Sequence, residues 1–210
     1  MIKKIKTFLK LEKNETNTTN IISKINDLYN SLESEDIQIE IGSDLIIFIQ
    51  TIRDCIDSFR TKIKNKYGFI LPVTRIKDNI HVQENELKIF VHNKLVIQTF
   101  LIPTEEKIKK EFKENLNTLF FNHIDKIFTC EIMERYINLV RSKNSYLIWN
   151  LTNTYSIVEL KDILIALLKN KKSIKNISHV MEEIGRISLS NGCPYYKDPQ
   201  RIIRELLKIL

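Results

Sequence analysis

The stretch Tyr67-Gly68-Phe69-Ile70-Leu71-Pro72-Val73-Thr74-Arg75-Ile76-Lys77-Asp78-Asn79 decides how the first half of the chain folds. Immediately upstream, Ile52, Ile56, Phe59, Ile63 and Tyr67 recur at spacings of four, three, four and four, which places all five on one stripe of an amphipathic helix. Gly68 stops that helix, because glycine takes the left-handed backbone of a helix C-cap without a Cβ penalty. Phe69-Ile70-Leu71 is then a short apolar run closed by Pro72, and it reads as a buried strand that ends where a backbone donor is lost. Arg75 to Asn79 lead into a turn, capped through the side chain of Asp78 or Asn79, with Arg75 and Asp78 as candidates for an ion pair.

Further upstream, Ile37-Gln38-Ile39-Glu40-Ile41 alternates strictly and predicts a half-buried strand ended by Gly42. Leu45 to Ile49 is an unbroken apolar run that predicts a second, more buried strand. A helical pattern starts at Ile22. Before it, residues 14–20 are polar and aperiodic, a linker, and Lys3, Lys4, Lys6 and Lys10 alternate with Ile2, Ile5, Phe8 and Leu9 in a basic amphipathic start. Downstream, Leu87, Ile89 and Val91 alternate with Lys88, Phe90 and His92, and Leu95-Val96-Ile97 returns as a hairpin partner across His92-Asn93.

Beyond Pro103 the strand pattern stops. Thr104 is placed as an N-cap with Glu105 and Glu106 in the first turn, where carboxylates complement the helix dipole. Helices are expected over 104–127 and 130–143, and a third opens at the capping box Ser156 to Glu159 with Leu160, Ile163, Leu164, Leu167 and Leu168 as its apolar set. A fourth runs from Ile174 to Ile187. In the last, Asp198-Pro199 supplies N-cap and first helical position ahead of Ile202, Ile203, Leu206, Leu207 and Leu210. The expected fold class is α+β: a basic segment and linker over 1–20, a small α/β subdomain with a short mixed sheet over 21–103, and an all-helical subdomain over 104–210.

Composition agrees with that reading. Of 210 residues, 43% are hydrophobic, enough for a globular core, while four glycines and four prolines are too few for the frequent turns of a β-sandwich. Lys and Arg number 33 against 26 Asp and Glu, a net charge of +7. No apolar run approaches the ~20 residues that span a bilayer, and the basic start has no apolar core like that of a signal peptide. Cys55, Cys130 and Cys193 are odd in number and widely spaced, which gives neither a disulfide framework nor a metal knuckle and suits a reducing cytosol.

Motifs for chemistry are missing. His81, His92, His123 and His179 are scattered, and there is no phosphate-binding glycine loop or nucleophile elbow, so no catalytic residue, metal ligand or cofactor is expected. Cys130, seven residues from His123, is read as a structural thiol on a core helix rather than a nucleophile, which leaves a hydrolase as a minor alternative. Adjacent carboxylates at Glu105-Glu106 and Glu182-Glu183 are solvated faces. Lys169, Lys171, Lys172 and Lys175 form a candidate basic patch near Tyr195-Tyr196 in sequence, and a nucleic-acid-binding regulator using it is the alternative function.

Three stretches, in order, resemble the cytoplasmic region of the FHIPEP family, the FlhA/SctV-type export-gate proteins of bacterial flagellar and type III secretion systems. The first is Ile39-Glu40-Ile41-Gly42 with Leu45-Ile46. The second is Ile56 with Phe59-Arg60, the Tyr67 to Asn79 segment, and Asn85-Glu86-Leu87-Lys88-Ile89. The third runs from Lys172-Ser173-Ile174 through Met181-Glu182-Glu183-Ile184 to Lys197-Asp198-Pro199, Ile203-Arg204 and Leu207. The resemblance covers about residues 36–210. It lacks the family's multi-helix membrane region, the small subdomain that the family inserts before the helix at Thr104, and the family's final subdomain, so the expected protein is a reduced form or a split fragment.

What the resemblance implies is a non-enzymatic docking protein of the export apparatus at the cytoplasmic face of the bacterial inner membrane. Its partners would be gate components, the ATPase stalk and export substrates, and it would form a homo-oligomer whose ring contacts fall on 104–210. No small-molecule substrate is expected, nucleic acid is disfavoured, and membrane contact is indirect or through the basic N-terminus. Gly68, Pro72, Arg75, Asp78 and Asn79 are the motif residues put forward for docking, although the same residue types serve equally as fold determinants.

Overall fold

The computed structural model describes residues 36–189 and 198–210. The basic start, the helix expected from Ile22, Cys193 and the Tyr195-Tyr196 pair lie outside the described residues. Ile37–Ile41 forms β1, with its three isoleucines buried and Gln38 and Glu40 half-buried, as strict alternation requires. A 3-10 helix, Ser43–Phe48, follows and runs into α1, Ile49–Tyr67. Thr74–Asp78 is β2, Glu86–Val91 β3 and Lys94–Phe100 β4. The sheet order is β2-β1-β3-β4. β1 is parallel to β2, with Ile37 opposite Thr74, and antiparallel to β3, with Ile39 opposite Ile89. Parallel neighbours need a crossover, and α1 supplies it.

Two strand expectations are corrected. Leu45 to Ile49 is not a strand: both edges of β1 are already taken, and the backbone turns at once through the Leu45 N–H to the Gly42 carbonyl (3.1 Å). Of this run Leu45 is buried, while Ile46 and Ile47 are 43% and 80% exposed, so the apolar composition does not mark a buried ladder. Phe69 to Leu71 is not a strand either. Phe69 is buried, but the Ile70 N–H goes to a tyrosine hydroxyl, and most of the Arg75 to Asn79 stretch read as leading into a turn belongs to Thr74–Asp78, the strand that pairs with β1. Pro72 therefore sits in the irregular lead-in to β2 and terminates no strand.

The helix expected from Ile174 begins only at Ile177, because the Ile174 N–H is taken by the Tyr67 carbonyl, whereas the expectations for α1, the β3–β4 hairpin and Gly42 hold. All five residues of the α1 stripe are buried, and Gly68 caps the helix with φ 75°. His92 and Asn93 both have positive φ, 47° and 60°, which is the two-residue turn whose twist suits a β3–β4 hairpin. Gly42 is required by close approach: a Cβ there would lie 1.8 Å from the Gln83 carbonyl oxygen.

From Glu105 on, the described residues are helical: α2 Glu105–Ile127, α3 Cys130–Arg141, α4 Ser145–Thr154, α5 Ile157–Lys169, α6 Ile177–Leu189 and α7 Pro199–Ile209. Thr104 holds the N-cap position of α2 without a side-chain cap bond, and α2 is kinked at His123. The capping box of α5 is complete, with the Ser156 hydroxyl and the Glu159 carboxylate each bonding the other's backbone. Asp198 caps α7 by accepting the Arg201 N–H, with Pro199 following it. Sequence reading missed α4, which is capped by Asn144. Leu160, Ile163, Leu164, Leu167 and Leu168 of α5 are fully buried, and α5 packs against α2, α3 and α7. The described residues group as one compact unit.

Candidate functional site

The Tyr67 to Asn79 segment ties the sheet half to the helical half. The Tyr67 carbonyl accepts the Ile174 N–H from the α5–α6 connection at 2.8 Å. A Cβ on Gly68 would stand 2.3 Å from the Lys175 Cα and 2.5 Å from its nitrogen, so two backbones touch where Gly68 sits. On the other side, the Tyr136 hydroxyl of α3 donates to the Gly68 carbonyl (2.9 Å) and accepts the Ile70 N–H (3.3 Å). Burial raises this phenol to about 12. Around it, Phe69 meets Phe120 and Phe128 at centroid distances of 5.6 and 5.2 Å, and Phe128 meets Tyr136 at 5.9 Å. Such aromatic pairs stabilise by roughly 0.5–1.5 kcal/mol beyond their area burial.

The other motif residues divide into clasps and exposed groups. The Pro72 carbonyl accepts from the Arg60 guanidinium of α1 at 2.5 Å. Asn79 donates from its amide to the Glu40 carboxylate (2.8 Å) and from its backbone to Ile41 (3.2 Å), and its side-chain oxygen accepts the His81 N–H (2.9 Å). Arg75 and Asp78 are exposed on β2, and strand alternation puts residues three apart on opposite faces. The motif thus combines three fold-holding positions with two solvent-facing ones.

The basic patch is partly assembled by the fold. Lys169 is paired with Asp125 at 3.1 Å. The Lys171 ammonium lies over the Phe121 ring, 5.8 Å from its centroid, and Lys175 abuts Gly68. Sequence reading did not join this cluster to the lysines of the last turn of α1, Lys64 and Lys66, although the Tyr67–Ile174 bond brings the two segments together. No periodicity signals a contact across about a hundred residues of chain.

Cys130 corrects its expectation: it is the first residue of α3, exposed and free, and does not lie on a core face. The chain breaks helix at Phe128 and Thr129, so His123 and Cys130 share no helical face. Desolvation, followed by the charge of Lys126, lowers the His123 imidazole. Among the described residues, no group of three or more His, Cys, Asp or Glu side chains could hold a metal, and no helix is long and apolar enough to cross a membrane.

The helical half presents an aromatic surface that the sequence did not reveal. Tyr146 and Trp149 of α4 are 72% and 61% exposed, and their rings stack at 6.2 Å. They flank a shallow cavity of about 530 Å³ lined by Arg141, Ser145, Tyr146, Ile148, Trp149 and Thr152. Leu139, near the end of α3, is also exposed. Tyr, Trp and Arg are the residue types enriched at the centres of protein–protein interfaces.

The fold of a four-stranded mixed sheet joined to a helical half is shared with bacterial proteins of known structure. MxiA of Shigella flexneri matches with a TM-score of 0.60 at 14% identity, over 81% of this chain and 62% of that one. CdsV of Chlamydia pneumoniae, solved in complex with CdsO, gives 0.66 at 13%, over 81% and 65%. The nonameric SctV-C of EPEC gives 0.65 at 12%, over 82% and 64%. The chain spans less than two thirds of the length of these structures. No curated protein sequence matches it. The model of the FHIPEP family matches residues 3–114, more than half of the chain. The chain belongs to the FHIPEP family.

Proposed function

We propose that this chain is a component of a bacterial flagellar or type III protein export apparatus, and that it works by docking other proteins and assembling with copies of itself without catalysing a reaction. Membership of the FHIPEP family supports the export role. The observation that carries the docking role is the exposed Tyr146–Trp149 stack on the helical half, beside Arg141 and a shallow cavity. A large aromatic pair held in solvent loses hydration on association and little side-chain freedom, since stacking already fixes both rings.

The likeness to a nonameric SctV-C and to a CdsV bound to CdsO supports copies of this chain and other apparatus proteins as the partners, with gate components, the stalk and export substrates as candidates. The place of action is the cytoplasmic face of the inner membrane. Arg75 and Asp78 are further docking candidates because they face solvent, while Gly68, Pro72 and Asn79 would act by holding the segment's shape. Sedimentation velocity over a concentration series tests self-assembly. Self-association that Trp149→Ala weakens about tenfold, a change of ~1.4 kcal/mol, at an unchanged melting temperature supports the reading. A chain that stays monomeric at every concentration removes self-assembly from it.

A further inference from the structure

We propose that the junction between the end of α1 and the α5–α6 connection is a docking site for an acidic segment of a partner protein, read through Lys66, Lys171 and Lys175. Tyr67 and Phe121 meet edge-on at a centroid distance of 5.6 Å. The Lys66 ammonium lies over the Tyr67 ring at 5.2 Å, and the Lys171 ammonium over the Phe121 ring at 5.8 Å. These three distances hold the two ammoniums within the reach of about five residues of extended chain at ~3.3 Å each. Lys175 stands against Gly68 in the same place, with Lys64 one helical turn back along α1 and Lys172 between Lys171 and Lys175. Lys64, Lys66, Lys171 and Lys175 are exposed, and none of the five lysines has a carboxylate partner among the described residues.

Local electrostatics explains only some of these charges. Lysines in the last turn of a helix complement its dipole, which accounts for Lys64 and Lys66 on α1 and for Lys169 on α5. Lys171, Lys172 and Lys175 lie past the end of α5, and nearby Asp125 is taken by Lys169. The result is a set of like charges on segments that the Tyr67–Ile174 backbone bond brings together, a surface complementary to an anion. Carboxylates on a peptide fit this surface better than a nucleic acid does. Single strands bind largely by stacking bases on exposed rings, and here Tyr67 is buried and Phe121 only half-exposed, each already beneath a lysine. Point-like ammoniums at rim positions set on-rate and partner choice.

None of these lysines lines the Tyr146–Trp149 cavity, so the proposal is tested independently of self-assembly. The test is fluorescence anisotropy of the whole chain against a short labelled poly-glutamate peptide and, in parallel, an oligo-dT strand at low salt. The triple variant Lys66→Glu/Lys171→Glu/Lys175→Glu is compared with Lys107→Glu/Lys110→Glu/Lys143→Glu, which changes the net charge equally at exposed sites elsewhere. The expected result is peptide binding that the junction variant weakens about tenfold, ~1.4 kcal/mol, and the control variant leaves within about twofold, ~0.4 kcal/mol. Circular dichroism confirms folding, and a Lys→Gln version of the junction triple replaces the Glu version if that one unfolds. Equal weakening by both triples, no peptide binding, or tighter binding to oligo-dT than to the peptide overturns the proposal.

Discussion

Replacing Gly68 by alanine puts two independent penalties at one atom. The backbone there has φ 75°, and an L-residue in the left-handed region costs about 1–2 kcal/mol. The new Cβ would also lie 2.3 Å from the Lys175 Cα and 2.5 Å from its nitrogen, both backbone atoms. Neither can swing aside as a side chain does, so the α5–α6 connection must move, and overpacking of this kind costs ~1–3 kcal/mol. The sum is about 2–5 kcal/mol, a large share of the ~5–15 kcal/mol that holds a domain together. For a chain of this size that corresponds to a melting temperature lowered by roughly 4–20 °C. Calorimetry and urea unfolding of Gly68→Ala measure it, with Gly185→Ala as the internal comparison. At Gly185 the added Cβ meets the Leu147 Cδ1 at 3.4 Å, ordinary contact on a helix, and removing a helical glycine is worth up to ~1 kcal/mol of stabilisation. A Gly68→Ala loss below ~1 kcal/mol, or the same change at both positions, would refute the view that Gly68 is where the two halves touch.

Tyr136→Phe removes the hydroxyl shared by the Gly68 carbonyl and the Ile70 N–H and should cost ~1–2 kcal/mol in urea unfolding. Because the folded phenol is raised from 10.0 to about 12, its contribution is whole below pH 10 and lost as pH climbs toward 12, and ultraviolet difference titration against the variant should show Tyr136 ionising late. Glu86 is 2% exposed, and the Gln83 N–H, then the Gln98 amide and Lys88, hold its carboxyl below the ordinary 4.5. Its stabilisation is therefore complete above that value and lost as pH falls through the lower folded one, so the melting temperature of Glu86→Gln should vary less with pH in the acid range than that of the parent chain. In a Cys193→Ser background, a thiol reagent should label exposed Cys130 at once, and buried Cys55, whose thiol burial pushes up, only on unfolding. Labelling of both at equal rates would contradict the packing of α1.

What the sequence disclosed and what it hid follow from where each signal lives. The α1 stripe, the α5 capping box and the Asp198-Pro199 start are local: each is written in residues within one element, and each is where it was expected. The misread strands are cases in which composition suggested burial that tertiary pairing assigned elsewhere. Ile46 and Ile47 are apolar but exposed, whereas polar Thr74 to Asp78 is the strand that pairs with one edge of β1. α4 went unseen because Tyr146, Leu147, Ile148, Trp149 and Leu151 cover more than one face of the helix, and only Ile148 and Leu151 of α4 are buried. Its aromatic surface was hidden for the same reason. The motif Gly68 to Asn79 was legible as a motif, but its work of joining α1 to α3 and to the α5–α6 connection depends on contacts with Tyr136 and Ile174 that no spacing encodes.

The export-docking role is tested most directly by affinity capture of the tagged chain from its own host, with membranes solubilised, and mass spectrometry of what co-purifies, in parallel with the Trp149→Ala variant. The expected result is recovery of export-apparatus proteins such as gate components, the secretion ATPase or its stalk, reduced by the variant. Recovery of nucleic acid and ribosomal proteins alone, released by salt and indifferent to Trp149, would contradict it.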